Sequence, residues 1–373
     1  MILPTGSTIG ILGGGQLGRM LALAAAQLGY RCHVYAPEAS GPATEVAAAW
    51  TQAAYDDVAS LDAFAATVDV VTFEFENIDP RAVAYLAARV QVSPSPGSLE
   101  AAQYRPNEKA LVEALGGATA PYRLVADRAT LDGAIAAIGT PAILKTTRLG
   151  YDGKGQARID AASDADAAWD TLARPAAQAD GVPAILERRV AFDAEFSVLL
   201  CRGREGEVVV WDTPRNVHVD GILDSSKVPG GDLVAAQAPA AILLARAVAE
   251  RLGHVGMLAC EFFACQAGPL FNEMAPRVHN SGHWTIEGAV TSQFENHIRA
   301  ICGLPLGDTS RIGAGAEMIN LVGGRGHGDT SLDGLLSQFM GGHVHLYGKG
   351  PPRPGRKMGH VTIVARHDDR SDI

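Results

Sequence analysis

Along the first hundred residues, short apolar runs alternate with longer stretches of helical spacing. Residues 8–12 read as a strand, 16–28 as a helix, 31–35 as a second strand and 68–75 as another buried run. Continuous apolar strands separated by helices predict an α/β arrangement, a parallel sheet covered on both faces. Ser93-Pro94-Ser95-Pro96-Gly97 breaks this pattern, since proline and glycine punctuate regular structure, and is expected to close the first unit. A mixed α+β pattern with a glycine-rich loop follows to about residue 198, and strands then dominate to about residue 305. The last stretch, 313–366, is glycine-rich and strand-like. Three domains are expected: 1–104, 105–198, and 199–373 with a small β-rich C-terminal segment. Alanine-rich helical stretches near Ala43 and Ala235 approach low complexity, and no internal repeat is present.

The strand pattern is most informative at 257–264 and 269–274, two apolar runs joined by the turn residues Gln266-Ala267-Gly268. A hairpin centred on Ala267 sets Glu261 opposite Glu273. Directly opposed residues have Cβ atoms about 4.5–5.5 Å apart. Two carboxylates that close repel unless a cation lies between them or one takes a proton. Mg²⁺ suits the place, with Mn²⁺ as the alternative, because Mg²⁺ accepts one or two carboxylates and completes its octahedron with phosphate oxygens and water. Apolar neighbours on both strands argue for a partly buried face rather than solvated acids. Arg277, His279, Asn280 and His283 follow at once. The two histidines lie at i and i+4, but no H-E-x-x-H surrounds them, and Pro276 and Ser281-Gly282 disfavour a regular helix, so zinc is not expected.

Composition narrows the picture. The chain has 373 residues, 47% hydrophobic and 19% charged, enough for two or three cores. Its net charge of −10 argues against nucleic acid, so any bound phosphate must be held by local basic groups and backbone amides. Five cysteines without a C-x-x-C pair, and no secretory leader, lead to the expectation of a cytoplasmic protein with reduced thiols. No run of about 18 apolar residues is read, so no membrane span is expected.

Two glycine loops offer anion sites. Gly13-Gly14-Gly15-Gln16-Leu17-Gly18 follows a strand, opens a helix and satisfies G-x-G-x-x-G, and Glu38 stands where a dinucleotide fold keeps its ribose acid. An NAD-dependent dehydrogenase is therefore one reading. The glycines themselves say only that amides at a helix N-terminus can approach an anion. Nothing downstream supplies hydride-transfer chemistry. Glu74 and Glu76 fall at the end of a strand, where open α/β sheets bind ligands. The second loop, Gly150-Tyr151-Asp152-Gly153-Lys154-Gly155-Gln156, follows a strand ending in Lys145, a suitable point charge for phosphates. Near the C-terminus Lys349, Arg353, Arg356 and Lys357 form a basic loop on an acidic protein, which suits a phosphate monoester gripped bidentately by arginine.

Asn272-Glu273, preceded by Glu261, resembles the metal-binding end of ATP-grasp ligases, and 273–284 resembles the 5-(carboxyamino)imidazole ribonucleotide synthetases of purine biosynthesis. The likeness takes in 13–20, 73–77, 145–156, 216–226, 261–306 and 353–360. It implies an ATP-grasp fold behind an N-terminal parallel-sheet domain, a homodimer, and carboxylation of aminoimidazole ribonucleotide with ATP, Mg²⁺ and bicarbonate through carboxyphosphate. On this resemblance Lys145 and the 150–156 loop hold phosphates, Glu187-Arg188-Arg189-Val190 forms the adenine hinge, and Glu195 takes the ribose. Arg105, His218, Asn272 and Glu273 complete the ATP site, with Glu261 and Glu273 as metal ligands. Gly15, Gln16, Leu17, Glu76, Tyr151 and the basic loop hold the ribotide. Arg277 steadies developing charge, while Asp152, His279 and Asn280 orient amine and bicarbonate, Asp152 being the candidate for proton handling. One departure is Leu149, where the family usually has glycine, which stiffens the phosphate loop. The alternatives are another ATP-grasp ligase or transformylase, and a nucleotide-binding protein without turnover.

Overall fold

The computed structural model describes residues 2–148, 150, 155–173, 182–327 and 330–366. Its N-terminal sheet is wholly parallel, in the order Ala49–Gln52, Arg31–Ala36, Thr8–Leu12, Val70–Phe73, Gln91–Val92. Thr8–Leu12 lies between Arg31–Ala36 and Val70–Phe73, where the strand order reverses, so its C-terminal end is at a topological switch point, where such sheets open a crevice. The glycine loop leaves from that end and runs into the helix Gln16–Gln27. Glu74 follows the adjacent strand Val70–Phe73, which is shorter than the apolar run suggests because the chain turns off at Glu74. The alanine-rich stretch at Ala43 is a series of turns instead of a helix. Gly41 lies against Gly14 so closely that a Cβ would meet its carbonyl oxygen at 2.3 Å, which bends the chain there.

A second, antiparallel sheet is ordered Tyr122–Val125, Ala184–Arg188, Ala142–Thr146, Gln156–Ile159. The helix Arg128–Ile138 covers it, started by a capping box in which Asp127 and Thr130 satisfy each other's backbone amides. The third sheet has nine strands. The acid hairpin lies at one edge and is followed inward by Ala194–Arg202, Arg215–Val219 and Ile222–Val228. Gly315–Val322, Lys357–Ala365 and Gly342–Leu346 continue the same sheet, so the C-terminal strands extend the large sheet. Ala194–Arg202 belongs wholly to this sheet and runs across the expected division at 198/199.

The strand Gly256–Cys265 shows how the fold aims its acids. Leu258, Cys260, Phe262 and Ala264 pack under the helix Asp232–Arg251, whereas Met257, Ala259, Glu261 and Phe263 belong to the opposite face. Asp232–Arg251 is long and apolar enough to cross a membrane by length and composition, which corrects the expectation that no such stretch exists. Gln237 and Arg246 interrupt the apolar run in sequence but leave a helical face of Val234, Ala241, Ala245 and Val248, which packs on the sheet.

Candidate active site

Glu261 and Glu273 are register partners across the acid hairpin. The turn alone would not make them so. Cys265 pairs with Gly268 and Phe262 with Phe271, a register that would bring Asn272 opposite Glu261. A bulge between Glu261 and Phe262 takes up one extra residue on the return strand, and Glu273 meets Glu261 instead. The expected pair is right, but the turn is tighter than one centred on Ala267. The bulge also lets Asn272 and Glu273 both reach the cleft wall.

The two acids stand in unequal surroundings. Burial raises Glu273, but Arg105, whose Nη1 donates to it at 3.0 Å, and Lys145 outweigh burial and hold it below the ordinary carboxylate range. Glu261 is pushed up to about 7 by burial, with Glu273 opposite adding to the effect. Its neighbour is His279, with Nε2 at 3.3 Å. Burial, and then Arg277 and Lys357, push His279 well below the usual histidine range, so this ring is neutral and brings no charge to Glu261. Ser281 N donates to His279 Nδ1 at 3.4 Å, which puts the ring proton on Nε2, facing Glu261.

Beside the acids lies a cationic wall. Lys145 donates to Glu187 at 2.9 Å and Lys109 lies 3.2 Å from the same carboxylate. Burial raises Glu187, yet the two lysines override it and bring it down to about 2. Glu195 and His218 approach to 2.5 Å; burial lowers the imidazole, and Glu195 and Glu261 reverse that and raise it. Phe192 and Phe263 stack at 4.6 Å on the same side, giving a flat apolar surface.

The segment after the hairpin lines the other half. Arg277 is buried and paired with Glu76, whose loop is pinned by Gln103 Nε2 donating to the carbonyls of Glu76 and Ile78, each at 2.6 Å. Asn280 is buried with neither its amide oxygen nor its amide nitrogen bonded. An unpaired buried amide is costly, so a group of this kind at a cleft wall marks a place for a polar ligand. The glycine loop does the reverse. Gly15 N donates to Glu74 at 2.8 Å and Gly18 N at 3.3 Å. The amides that would cradle a pyrophosphate thus hold the chain's own carboxylate, and a Cβ on Gly15 would meet it at 2.5 Å. The two acids, Arg105, Lys145, Glu195, His218, Phe192, Phe263, Glu74, Glu76, Arg277, His279 and Asn280 border one cavity of about 1340 Å³, which exceeds the 300–1,000 Å³ of a usual single-ligand site.

Family models match in series along the chain: a ribonucleotide synthetase preATP-grasp domain at 6–103, an ATP-grasp domain at 110–294 and a phosphoribosylaminoimidazole carboxylase C-terminal domain at 316–372. The N5-carboxyaminoimidazole ribonucleotide synthase of Brucella melitensis is 47% identical over 363 residues, 97% of each chain. The chain belongs to the N5-carboxyaminoimidazole ribonucleotide synthase family. The fold agrees. The N5-carboxyaminoimidazole synthetase of Staphylococcus aureus, in complex with ADP, superposes with a TM-score of 0.89 at 32% identity, covering 97% of this chain and 94% of that one. The Aspergillus clavatus enzyme, in complex with ADP and 5-aminoimidazole ribonucleotide, gives 0.85 at 29% identity, covering 97% and 95%.

N5-carboxyaminoimidazole ribonucleotide synthases are ATP-grasp ligases of purine biosynthesis that carboxylate aminoimidazole ribonucleotide at the expense of ATP. Of the residues singled out for this chemistry, Gly15, Gln16, Leu17, Glu76, Arg105, Lys145, Gly150, Gln156, Arg189 and Val190 line the cavity. So do Glu195, His218, Glu261, Asn272, Glu273, Arg277, His279, Asn280, Lys349, Arg356 and Lys357. Gly155, Glu187, Arg188 and Arg353 lie off its wall. Arg188 turns away to donate to Ile138 O at 2.6 Å, and Glu187 is buried beneath its two lysines. Tyr151, Asp152, Gly153 and Lys154, with Leu149, lie outside the described residues. Sequence reasoning missed Glu108, which is buried at the cavity edge, accepts from Met274 N at 2.6 Å and is pushed up to about 8 by burial in spite of Arg105. Its only signal was a charged position on a helix, which reads as solvated surface. Phe192 and Phe263 were missed likewise: Phe192 stands alone in the loop between two strands, and Phe263, beside Phe262 in an apolar strand, reads as core.

Proposed function

We propose that this chain uses ATP with Mg²⁺ to activate bicarbonate as carboxyphosphate and then carboxylates the exocyclic amine of aminoimidazole ribonucleotide. The observation that carries the reading is the facing pair Glu261 and Glu273 on the wall of a cavity that continues to Arg277, His279, Asn280 and the basic loop. The donor set fits Mg²⁺ or Mn²⁺. It offers two carboxylates, of which only Glu273 has a cation in direct contact, and leaves the other coordination positions to phosphate oxygens and water. Among the described residues no cluster of three or more His, Cys, Asp or Glu could hold a metal by itself, so the remaining donors would come from the nucleotide. Bound there, the ion would neutralise charge on the transferred phosphoryl group, which with positioning makes up most of phosphoryl-transfer catalysis.

The chain's own residues divide the remaining work. Lys145, Arg105 and the 150–156 loop hold the phosphates, and Arg189 and Val190 of the hinge, with Phe192 and Phe263, bracket the base. Glu195, fixed by His218, takes ribose hydroxyls. Bicarbonate oxygen attacks the γ-phosphorus and ADP leaves. The ribotide amine then forms the new N–C bond as phosphate departs, and one amine proton is lost, with Asp152 as the candidate acceptor. Arg277 steadies the charge that develops on phosphate and carboxyl. Asn280 offers both of its unused amide atoms to orient bicarbonate and amine, beside the neutral His279. Lys349, Arg356 and Lys357 grip the ribotide phosphate, with Gly15, Gln16, Leu17 and Glu76 across the cleft.

The direct test is ADP release with bicarbonate and aminoimidazole ribonucleotide supplied singly and together; turnover needs both. Mg-ATP or Mg-ADP should stabilise the protein thermally, as any ligand of the native state does, and NAD and NADP should not. A shift with NAD alone would overturn the ligase reading. We also take the chain to be a cytoplasmic homodimer, which the family likeness and five cysteines without a disulfide support. Sedimentation as a monomer at working concentration would remove the dimer.

A further inference from the structure

The turn that carries His279 and Asn280 belongs to no sheet and to no regular helix beyond the three-residue 3₁₀ turn Asn280–Gly282. One side chain holds the backbone of His279 at both its N–H and its carbonyl. Gln293, wholly buried at the start of the helix Gln293–Cys302, accepts from His279 N at 2.9 Å through Oε1 and donates from Nε2 to His279 O at 2.6 Å. This two-point pattern is the one a neighbouring antiparallel strand would make. A backbone N–H can only donate, so the amide has one orientation. Its second hydrogen lies against His283 Nδ1 at 3.2 Å, which must accept and therefore leaves the His283 proton on Nε2. Gln293 N in turn donates to Thr285 Oγ1 at 2.9 Å, and that hydroxyl donates to Gly282 O at 2.6 Å. Gly282 is packed on the same amide, since a Cβ there would meet Gln293 Oε1 at 2.6 Å.

We propose that Gln293 is a positioning residue that fixes the backbone of His279 and the tautomer of His283, so that His279 Nε2 and the Asn280 amide face the cavity. This rests on the acceptor-stage role given above to His279 and Asn280. The side chain touches neither nucleotide wall nor basic loop.

Two near-isosteric variants test it. Gln293→Met keeps the volume and loses every polar atom. Gln293→Glu keeps the acceptor for His279 N but sets a carboxylate oxygen against His279 O and His283 Nδ1. Each should lower kcat for ribotide-dependent ADP release by about 10²-fold, the scale of a misplacement of about 1 Å in a reacting group. Calorimetric ATP affinity and ribotide KM should stay near wild type. Relative to wild type at the same pH, Gln293→Glu should recover as pH falls and its carboxyl regains a donor proton, and Gln293→Met should not. The groups facing this position are Thr285 and the neutral His279 and His283, both held low by burial with Arg277 and Lys357 adding. Wild-type kcat in Gln293→Met with a lowered melting temperature would reduce Gln293 to packing and overturn the inference, as would failure of both variants to fold. His279→Ala separates the two levels. Wild-type turnover there removes the acceptor-stage reading itself, whereas a defect there beside a normal Gln293→Met removes only the positioning role.

Discussion

The glycine loop and the acid hairpin bring carboxylates to the same cavity on opposite terms. Glu74 is buried, and although burial raises its pKa, the amides of Gly15 and Gly18 bind its carboxylate and work against that rise. The cradle and the anion both come from this chain, so the region reads as an anion site in sequence and is closed in the fold. At the hairpin, Arg105 donates directly to Glu273, while Glu261 touches only the neutral imidazole of His279, and although His218 and Lys357 act on it from farther off, burial and Glu273 push it up to about 7. A charge satisfied from within contributes stability. A like-charge pair left unsatisfied costs stability in the free protein and is relieved when a cation arrives. On the function proposed above, the ligand site is marked by the deficit, and the glycine signature is the weaker guide.

The largest effect should follow from removing the hairpin's charge. Glu273→Gln is expected to cut ADP formation by about 10³-fold or more, the several kcal/mol that a positioned metal supplies, with ribotide binding by calorimetry intact. If Glu74→Gln cost as much, the contrast between the two regions would collapse. Next, Asp152→Ala and His279→Ala should each lower carboxylation by about 10²-fold with little change in nucleotide affinity, the scale of a lost orienting or proton-transfer group. Loss of nucleotide binding in step with rate would move both residues into the ATP site. Arg356→Ala should weaken apparent ribotide affinity by roughly one to two decades, from a charge-assisted contact of about 1.5–3 kcal/mol. Kinetics like wild type at sub-saturating ribotide would remove the basic loop from the substrate site.

The smallest effects address stability and bear most directly on the comparison. Glu74→Ala strands one buried and one half-buried amide and should cost about 1–3 kcal/mol, seen as a lower denaturation midpoint. Glu261→Gln should leave the ligand-free protein as stable or more so, while abolishing stabilisation by Mg-ATP. Because the folded pKa of Glu261 is raised to about 7 from an ordinary 4.5, its contribution to stability is present below about pH 4.5 and lost as pH rises through 7. The advantage of Glu261→Gln should therefore be greatest above pH 7 and fade towards pH 5. A gap that widens on acidification would show that Glu261 is not the strained member of the pair.

Local periodicity carried much of this. The strands Thr8–Leu12 and Arg31–Ala36, the helix after the glycine loop and both arms of the hairpin follow from which residues are apolar at spacings of two and three to four, because burial of one face selects those periods. The residue types at the cavity were legible as well, since paired acids, a strand-borne lysine and a cationic loop each imply a chemistry. What the tertiary structure alone decided is which of these groups are spent on one another. Glu74 reaches the glycine loop from 59 residues away, Glu108 reaches Met274 across 166, and Lys145 and Lys109 share Glu187. Even the pairing of Glu261 with Glu273 depends on a bulge that the turn residues do not announce. Spacing along a chain determines which side of an element a residue takes. Whether a buried polar group there is satisfied depends on what distant segments bring against it, and at this cavity that accounting separates residues that hold the protein together from residues left for its substrates.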